Sequence, residues 1–337
     1  MRGRWQALAV VVAGAISSLF AWISAAVIAL VILRKGASAG AWLFLWALLP
    51  AGGFAYLYGD TSTLTLLAGT FALAVVLRNS VSLALALLAS VAVGGFAGMV
   101  ALTFGAQYLE QLGNVLEQML NNMLSDLPEA AEQPALVTLG KVQLAGMIGA
   151  GSAVMSALSL LLARYWQAAL YNPGGFGREF RALRYPVAVT ALLVLAGLGL
   201  STVGARLGQW AMIFIMPLTF AGLAVVHSWG VARGRGTGWF AAFYIAWVLL
   251  EPLRLLIALL AVADSWLDFR QRWGLQERGA ADTVQAPEEP QPALDKREDS
   301  AGQDDDSRAG DADGKTETSS TGTRKYDGRT TGRKDDD

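Results

Sequence analysis

The chain has 337 residues, of which 54% are hydrophobic and 16% charged, against about 25% charged in an ordinary soluble domain. It holds no Cys and one His, His227, which excludes disulfide frameworks and thiolate metal sites and nearly excludes a His-based triad or multi-His metal cluster. The net charge of −1 hides two materials: Met1–Ala263 carries 14 Lys and Arg against 8 Asp and Glu, whereas Asp264–Asp337 carries 12 against 19.

A helix needs about 20 apolar residues to cross a hydrocarbon layer of roughly 30 Å. The first apolar block, Trp5–Leu33, exceeds a signal-peptide core of about 7–15 residues. As one helix it would be about 43 Å long, too long for a simple crossing. Gly14, Ser17 and Ser18 mark a break, and cations flank both ends: Arg2 and Arg4 before, Arg34 and Lys35 after. The expectation is a hairpin of short or re-entrant helices that enters and returns.

Seven further spans are expected: Ala37–Tyr58, Ser62–Leu77, Val81–Phe104, Val142–Ala163, Val187–Val203, Gln209–Trp229 and Trp239–Ala263. Pro50 and Pro217 mark kinks within two of them. Lys and Arg favour cytoplasmic loops. That puts the acidic segment 105–141 outside, and Arg34-Lys35, Arg78, the basic loop 164–186 and Arg233-Arg235 inside. The same count leaves the side of the C-terminal tail open, because Arg270 and Arg272 follow a span that runs outward.

Within 105–141, Tyr108, Leu112, Val115, Met119 and Leu120 recur at helical spacing, with polar residues opposite. This helix either caps a cavity from outside or simply lies on the membrane surface. Residues 274–337 are rich in Asp, Glu, Gly, Ser, Thr and Pro and hold few large apolar side chains, so a disordered polar tail is expected. The fold class is then all-α: a polytopic transmembrane bundle of about eight spans in residues 1–273, with a tail.

Ionisable residues inside a span are costly and point to function. Glu251 lies near the middle of Trp239–Ala263, Arg254 is one helical turn on, and Pro252 loosens the helix between them. The group either handles a polar solute or proton, or fixes helix packing as an internal ion pair. His227 is either a pH-sensitive gate or an interfacial side chain. In the loop, Asn172-Pro173-Gly174-Gly175 signals a tight turn. Arg164 suits the headgroup level, and Arg178, Arg181 and Arg184 fall three apart on one side of a short helix. That basic face either meets lipid or a cytoplasmic partner, or anchors the loop. Gly174, Gly175 and Gly177 lack the spacing of a phosphate loop.

The residues Arg164-Tyr165-Trp166-Gln167-Ala168, Tyr171-Asn172-Pro173-Gly174-Gly175-Phe176, Glu179-Phe180 and Leu183-Arg184 resemble the signature loop of the YybS-like bacterial membrane proteins (domain of unknown function 2232). Asp264-Ser265-Trp266-Leu267-Asp268-Phe269-Arg270 resembles the closing motif, and Val31-Ile32-Leu33-Arg34-Lys35-Gly36 the early one. The resemblance covers about residues 5–273. That family has no established activity, and its layout is similar to the substrate-binding components of energy-coupling-factor vitamin transporters and to the cell-shape protein MreD. It implies a small-solute transport component of a bacterial inner membrane that works with a separate ATPase and scaffold subunit. In those components small residues on the first helix dock the scaffold subunit, with Ala9/Ala13 and Ala21/Ala25 as counterparts here. The alternative is a non-transporting scaffold in envelope assembly or cell shape. No catalytic group, cofactor or nucleic-acid partner is expected, and the expected surrounding is the lipid bilayer.

Overall fold

The computed structural model of the chain describes residues 4–125 and 139–272. The acids Asp126, Glu129 and Glu132 and the polar tail lie outside the described residues. Among the described residues every regular element is a helix, and the architecture is an all-α bundle.

The first apolar block breaks as expected. α1 (Arg4–Ile16) stops at Ser17, which is extended, a single 3-10 turn follows over Ser18–Phe20, and α2 (Ala21–Lys35) runs back. The Ser24 hydroxyl donates to the Val11 carbonyl at 2.9 Å. A Cβ on Gly14 would overlap the Ser24 Oγ and displace this hydrogen bond. With 13 and 15 residues, the two helices are about 20 Å long, too short to cross singly.

Gly36, at φ 108°, links α2 directly to α3 (Ala37–Tyr58), and Gly59, left-handed at φ 70°, ends α3. α4 (Ser62–Ser80) follows, then α5 (Leu83–Leu88) and α6 (Ser90–Phe104), which together make one span. α7 (Ala106–Ser125) is the amphipathic helix. Leu109 is buried beside Ala101 and Leu144, and the polar face is exposed. α8 (Lys141–Tyr171) leads through α9 (Gly175–Arg181) to α10 (Val187–Thr202) and α11 (Ala205–Ala232). Five elements, α3, α4, α5–α6, α8 and α11, are long and apolar enough to cross a membrane. α10 is shorter, with 16 residues. Many Leu, Met and aromatic side chains on the outside of the bundle are exposed, as lipid contact demands.

Small residues set the closest approaches. A Cβ on Gly94 of α6 would lie 2.9 Å from the Gly149 carbonyl of α8, and one on Gly149 would lie 2.5 Å from the Gly94 carbonyl. Such contact lets helices without a hydrophobic drive between them gain dispersion contacts backbone to backbone. Ala21 and Ala25 are buried, whereas Ala9 and Ala13 face outward.

Arginines collect at one end of the bundle. Arg78, ending α4, donates to the Ile32 and Leu33 carbonyls of α2. Arg34 lies over Tyr171 at the end of α8. Ser228, near the end of α11, donates to the Arg181 carbonyl at 3.2 Å. We call this the arginine end. At the opposite end, Lys141 pairs with Glu110 at 3.0 Å.

The last expected span, Trp239–Ala263, is not one helix. α12 (Thr237–Leu249) stops at Leu250, and α13 (Glu251–Leu267) leaves at 110° to it. Pro252 is the cause. In a continuous helix its ring would clash with the Val248 carbonyl and its missing N–H would leave that carbonyl unbonded. In the first turn of a new helix it costs nothing. Gly222 of α11 touches Ile257 of α13. Beyond, Ser228 of α11 and Arg270 after α13 meet at the Arg181 carbonyl. α13 therefore runs parallel to α11 and returns to the arginine end, and α14 (Phe269–Arg272) closes the described chain there.

Candidate functional site

Glu251 and Arg254 stand at the break between α12 and α13 and do not form an internal ion pair. Arg254 donates to Val248 O at 2.7 Å and Trp247 O at 3.4 Å, capping carbonyls that the break set free. Glu251 sits at the positive end of α13. Both side chains are exposed, and no ion pair joins them. His227 is elsewhere. Its Nδ1 contacts Leu223 O at 2.8 Å, and its ring stacks on Phe240 and meets Phe180 edge-on. Tyr244 OH is 3.3 Å from its Nε2.

The loop is built by a type II turn. The Gly175 N–H donates to Asn172 O at 2.9 Å, Pro173 holds the second position, and Gly174 takes φ 81° at the third. The Asn172 amide packs against the Gly175 Cα, and a Cβ there would displace that side chain. α9 ends at Arg181, so Arg178, Arg181 and Arg184 do not share one basic face. Arg178 stays exposed. Arg164 pairs with Glu179 at 2.7 Å.

Arg184 turns inward, to Asp268 Oδ2 at 2.8 Å and to the Asp264 carbonyl at 3.2 Å. Asp268 itself is left-handed at φ 48°, a conformation Asp tolerates, and so ends α13. That bend aims Arg270 back at the loop. Its Nη2 donates to Leu183 O at 2.7 Å, its Nη1 to Arg181 O, and its Nε lies 3.2 Å from Asp264 Oδ2. Asp264 is 2% exposed and Arg270 6%. The loop after α8 and the end of α13 are thus clasped together through these residues. Asp264, Asp268 and Arg270 were not among the expected site residues; their signal was charge at the end of the last apolar run.

Burial raises the Asp268 carboxyl, but the hydrogen bond from Arg184, the Gln271 N–H and the charges of Arg184 and Arg270 outweigh it and bring it below its ordinary value. A lowered folded value means a stabilisation that is complete above the ordinary Asp pKa of about 3.9 and lost as pH falls through the lower one. The stability difference between the wild-type chain and Asp268→Asn, measured by unfolding at several pH values, is expected to hold constant from neutral to about pH 4.5 and to shrink progressively as pH falls further, through the lowered value.

A cavity of about 550 Å³ opens at the arginine end between α1, α2, α3 and the end of α8. Val27, Leu30 and Leu43 give it an apolar wall, and Arg34, Lys35 and Tyr171 form its rim. The Arg34 guanidinium lies 3.2 Å from the centre of the Tyr171 ring. A second cavity, about 310 Å³ and lined by apolar side chains, lies beside Trp210. Among the described residues no three His, Cys, Asp or Glu side chains gather as a metal site would require. No protein-family model, curated protein or solved structure matches this chain.

Proposed function

We propose that the chain is a substrate-binding or transport component for a small solute in a bacterial inner membrane, with its arginine end in the cytoplasm. The carrying observation is the cavity of about 550 Å³ between α1, α2 and α3. Small-molecule sites span about 300–1,000 Å³ and pair an apolar wall with a few convergent polar groups. Arg34, Lys35 and Ser38 supply such groups here. The orientation is supported by the count of Lys and Arg: Arg34, Lys35, Arg78, the four loop arginines, Arg233 and Arg235 lie at the arginine end, against Lys141 and Arg206 at the opposite end. Nothing in the sequence resembles a nucleotide-binding motif, so energised uptake needs a separate ATPase and a scaffold subunit.

Mass spectrometry of small molecules retained by the purified full-length protein tests this reading. The wild-type chain is expected to retain a ligand, and Ala39→Trp, which fills the cavity, to lose at least about nine-tenths of it, a tenfold weakening. Equal retention by both proteins, or none by either, contradicts the reading.

A further inference from the structure

We infer that the cavity between α1, α2 and α3 binds a phosphate-bearing amphiphile, with the phosphate held by Arg34 and Lys35 and the hydrocarbon laid against Val27, Leu30 and Leu43. The inference rests on the reading of this cavity as the ligand site.

Three observations carry it. First, the rim is cationic without a counter-charge. The four ion pairs among the described residues join Lys141–Glu110, Arg164–Glu179, Arg184–Asp268 and Arg270–Asp264; none uses Arg34 or Lys35. Arg78, the neighbouring cation, gives its Nη1 to the Ile32 and Leu33 carbonyls. Second, Arg34 is held. Its guanidinium carbon lies 3.2 Å from the centre of the Tyr171 ring, a cation–π contact that orients the group and uses none of its N–H donors. An oriented guanidinium fork beside a lysine point charge suits a phosphate, which accepts two parallel hydrogen bonds and carries the charge both cations lack. Third, the wall behind that rim is apolar. A purely polar anion would leave it wet, whereas an alkyl or isoprenoid chain buries apolar surface there.

The depth agrees. Arg34 and Lys35 are the last residues of α2, and Gly36 turns the chain straight into α3. The cations therefore sit where helices leave the hydrocarbon, at the level of headgroup phosphates. The amphiphile is either a phospholipid of the membrane itself or a free phosphorylated one; the recognising chemistry is shared.

The test uses the full-length protein, stripped of lipid in detergent, and titrates it with decyl phosphate and decanoate; a second arm uses vesicles of phosphatidylglycerol or phosphatidylcholine. Decyl phosphate is expected to bind about tenfold or more tighter than decanoate, and Arg34→Gln/Lys35→Gln to lose that preference. Both side chains are exposed, so the variant keeps its fold. Phosphatidylglycerol that survives washing and resists displacement assigns the membrane lipid; displacement by decyl phosphate assigns a free amphiphile. Equal binding of decyl phosphate and decanoate, or an unchanged preference in the double variant, overturns the inference. Ser38→Trp, at an exposed rim position, separates the two levels. If it leaves all binding intact, the ligand lies elsewhere and the functional reading falls too. If it blocks binding while the double Gln variant behaves as wild type, only the phosphate assignment falls.

Discussion

Arg270→Leu is expected to destabilise the protein by about 3–5 kcal/mol, because it strands the Asp264 carboxylate in a site that excludes water. Asp264 is 2% exposed and its ion partner lies 3.2 Å away. The same change removes the Arg270 donor from the Leu183 carbonyl and leaves the Arg181 carbonyl with Ser228 alone. Asp264→Leu is expected to cost a similar amount, since the orphan is then a guanidinium. The two losses do not add. Replacing both partners by apolar side chains removes both charges together, and such swaps are often near neutral. Unfolding of the purified protein in detergent measures all three. Single variants within about 1 kcal/mol of wild type, or a double variant equal to their sum, contradict a buried charge pair at this place.

The second large effect is expected at Gly222. A Cβ there would overlap the Ile257 carbonyl, which is backbone and has no rotamer to yield. Gly222→Ala must push α13 off α11, and Gly222→Val must push it farther. Overpacking of this kind costs typically about 1–3 kcal/mol, with the larger side chain at the upper end or beyond. Gly199→Ala and Gly52→Ala are the controls, since nothing lies within 4 Å of a Cβ at either position. There the gain in helix propensity is up to about 1 kcal/mol and the sign reverses. If Gly222→Ala is as harmless as Gly199→Ala, α13 does not pack along α11.

These two effects involve the parts of the molecule that the sequence concealed. The bounds of α3 were legible because Gly36 and Gly59 punctuate the chain on either side. The N-terminal hairpin was legible because Ser17 interrupts the run and because cations flank it on both sides. Of the two alanine pairs read as small-residue contacts, Ala21/Ala25 is buried whereas Ala9/Ala13, with the same spacing, faces away from the bundle.

The break at Leu250 was not legible by hydropathy, because α12 and α13 are both apolar and a window averages across them. Helical spacing then made Glu251 and Arg254 look like an internal pair. Once the helix is broken, the same two residues serve its two ends. The roles of Asp264 and Arg270 were hidden for another reason. Arg270 binds carbonyls 87 and 89 residues earlier in the chain, and a carbonyl leaves no trace in residue type. The cavity rim is concealed likewise, since Arg34 and Tyr171 meet only after α2 and α8 have packed.

The C-terminal apolar segment enters and returns, so that residue 272 lies on the same side as the loop at residue 172. The absence of native cysteine makes one measurement direct: labelling of single introduced cysteines by a membrane-impermeant maleimide in intact and in opened cells. Asn172→Cys and Arg272→Cys are expected to react only after opening, and Asp60→Cys, at the opposite end, in intact cells. Reaction of Arg272→Cys together with Asp60→Cys in intact cells would mean that α12 and α13 cross the membrane as one span, and would contradict the re-entrant arrangement.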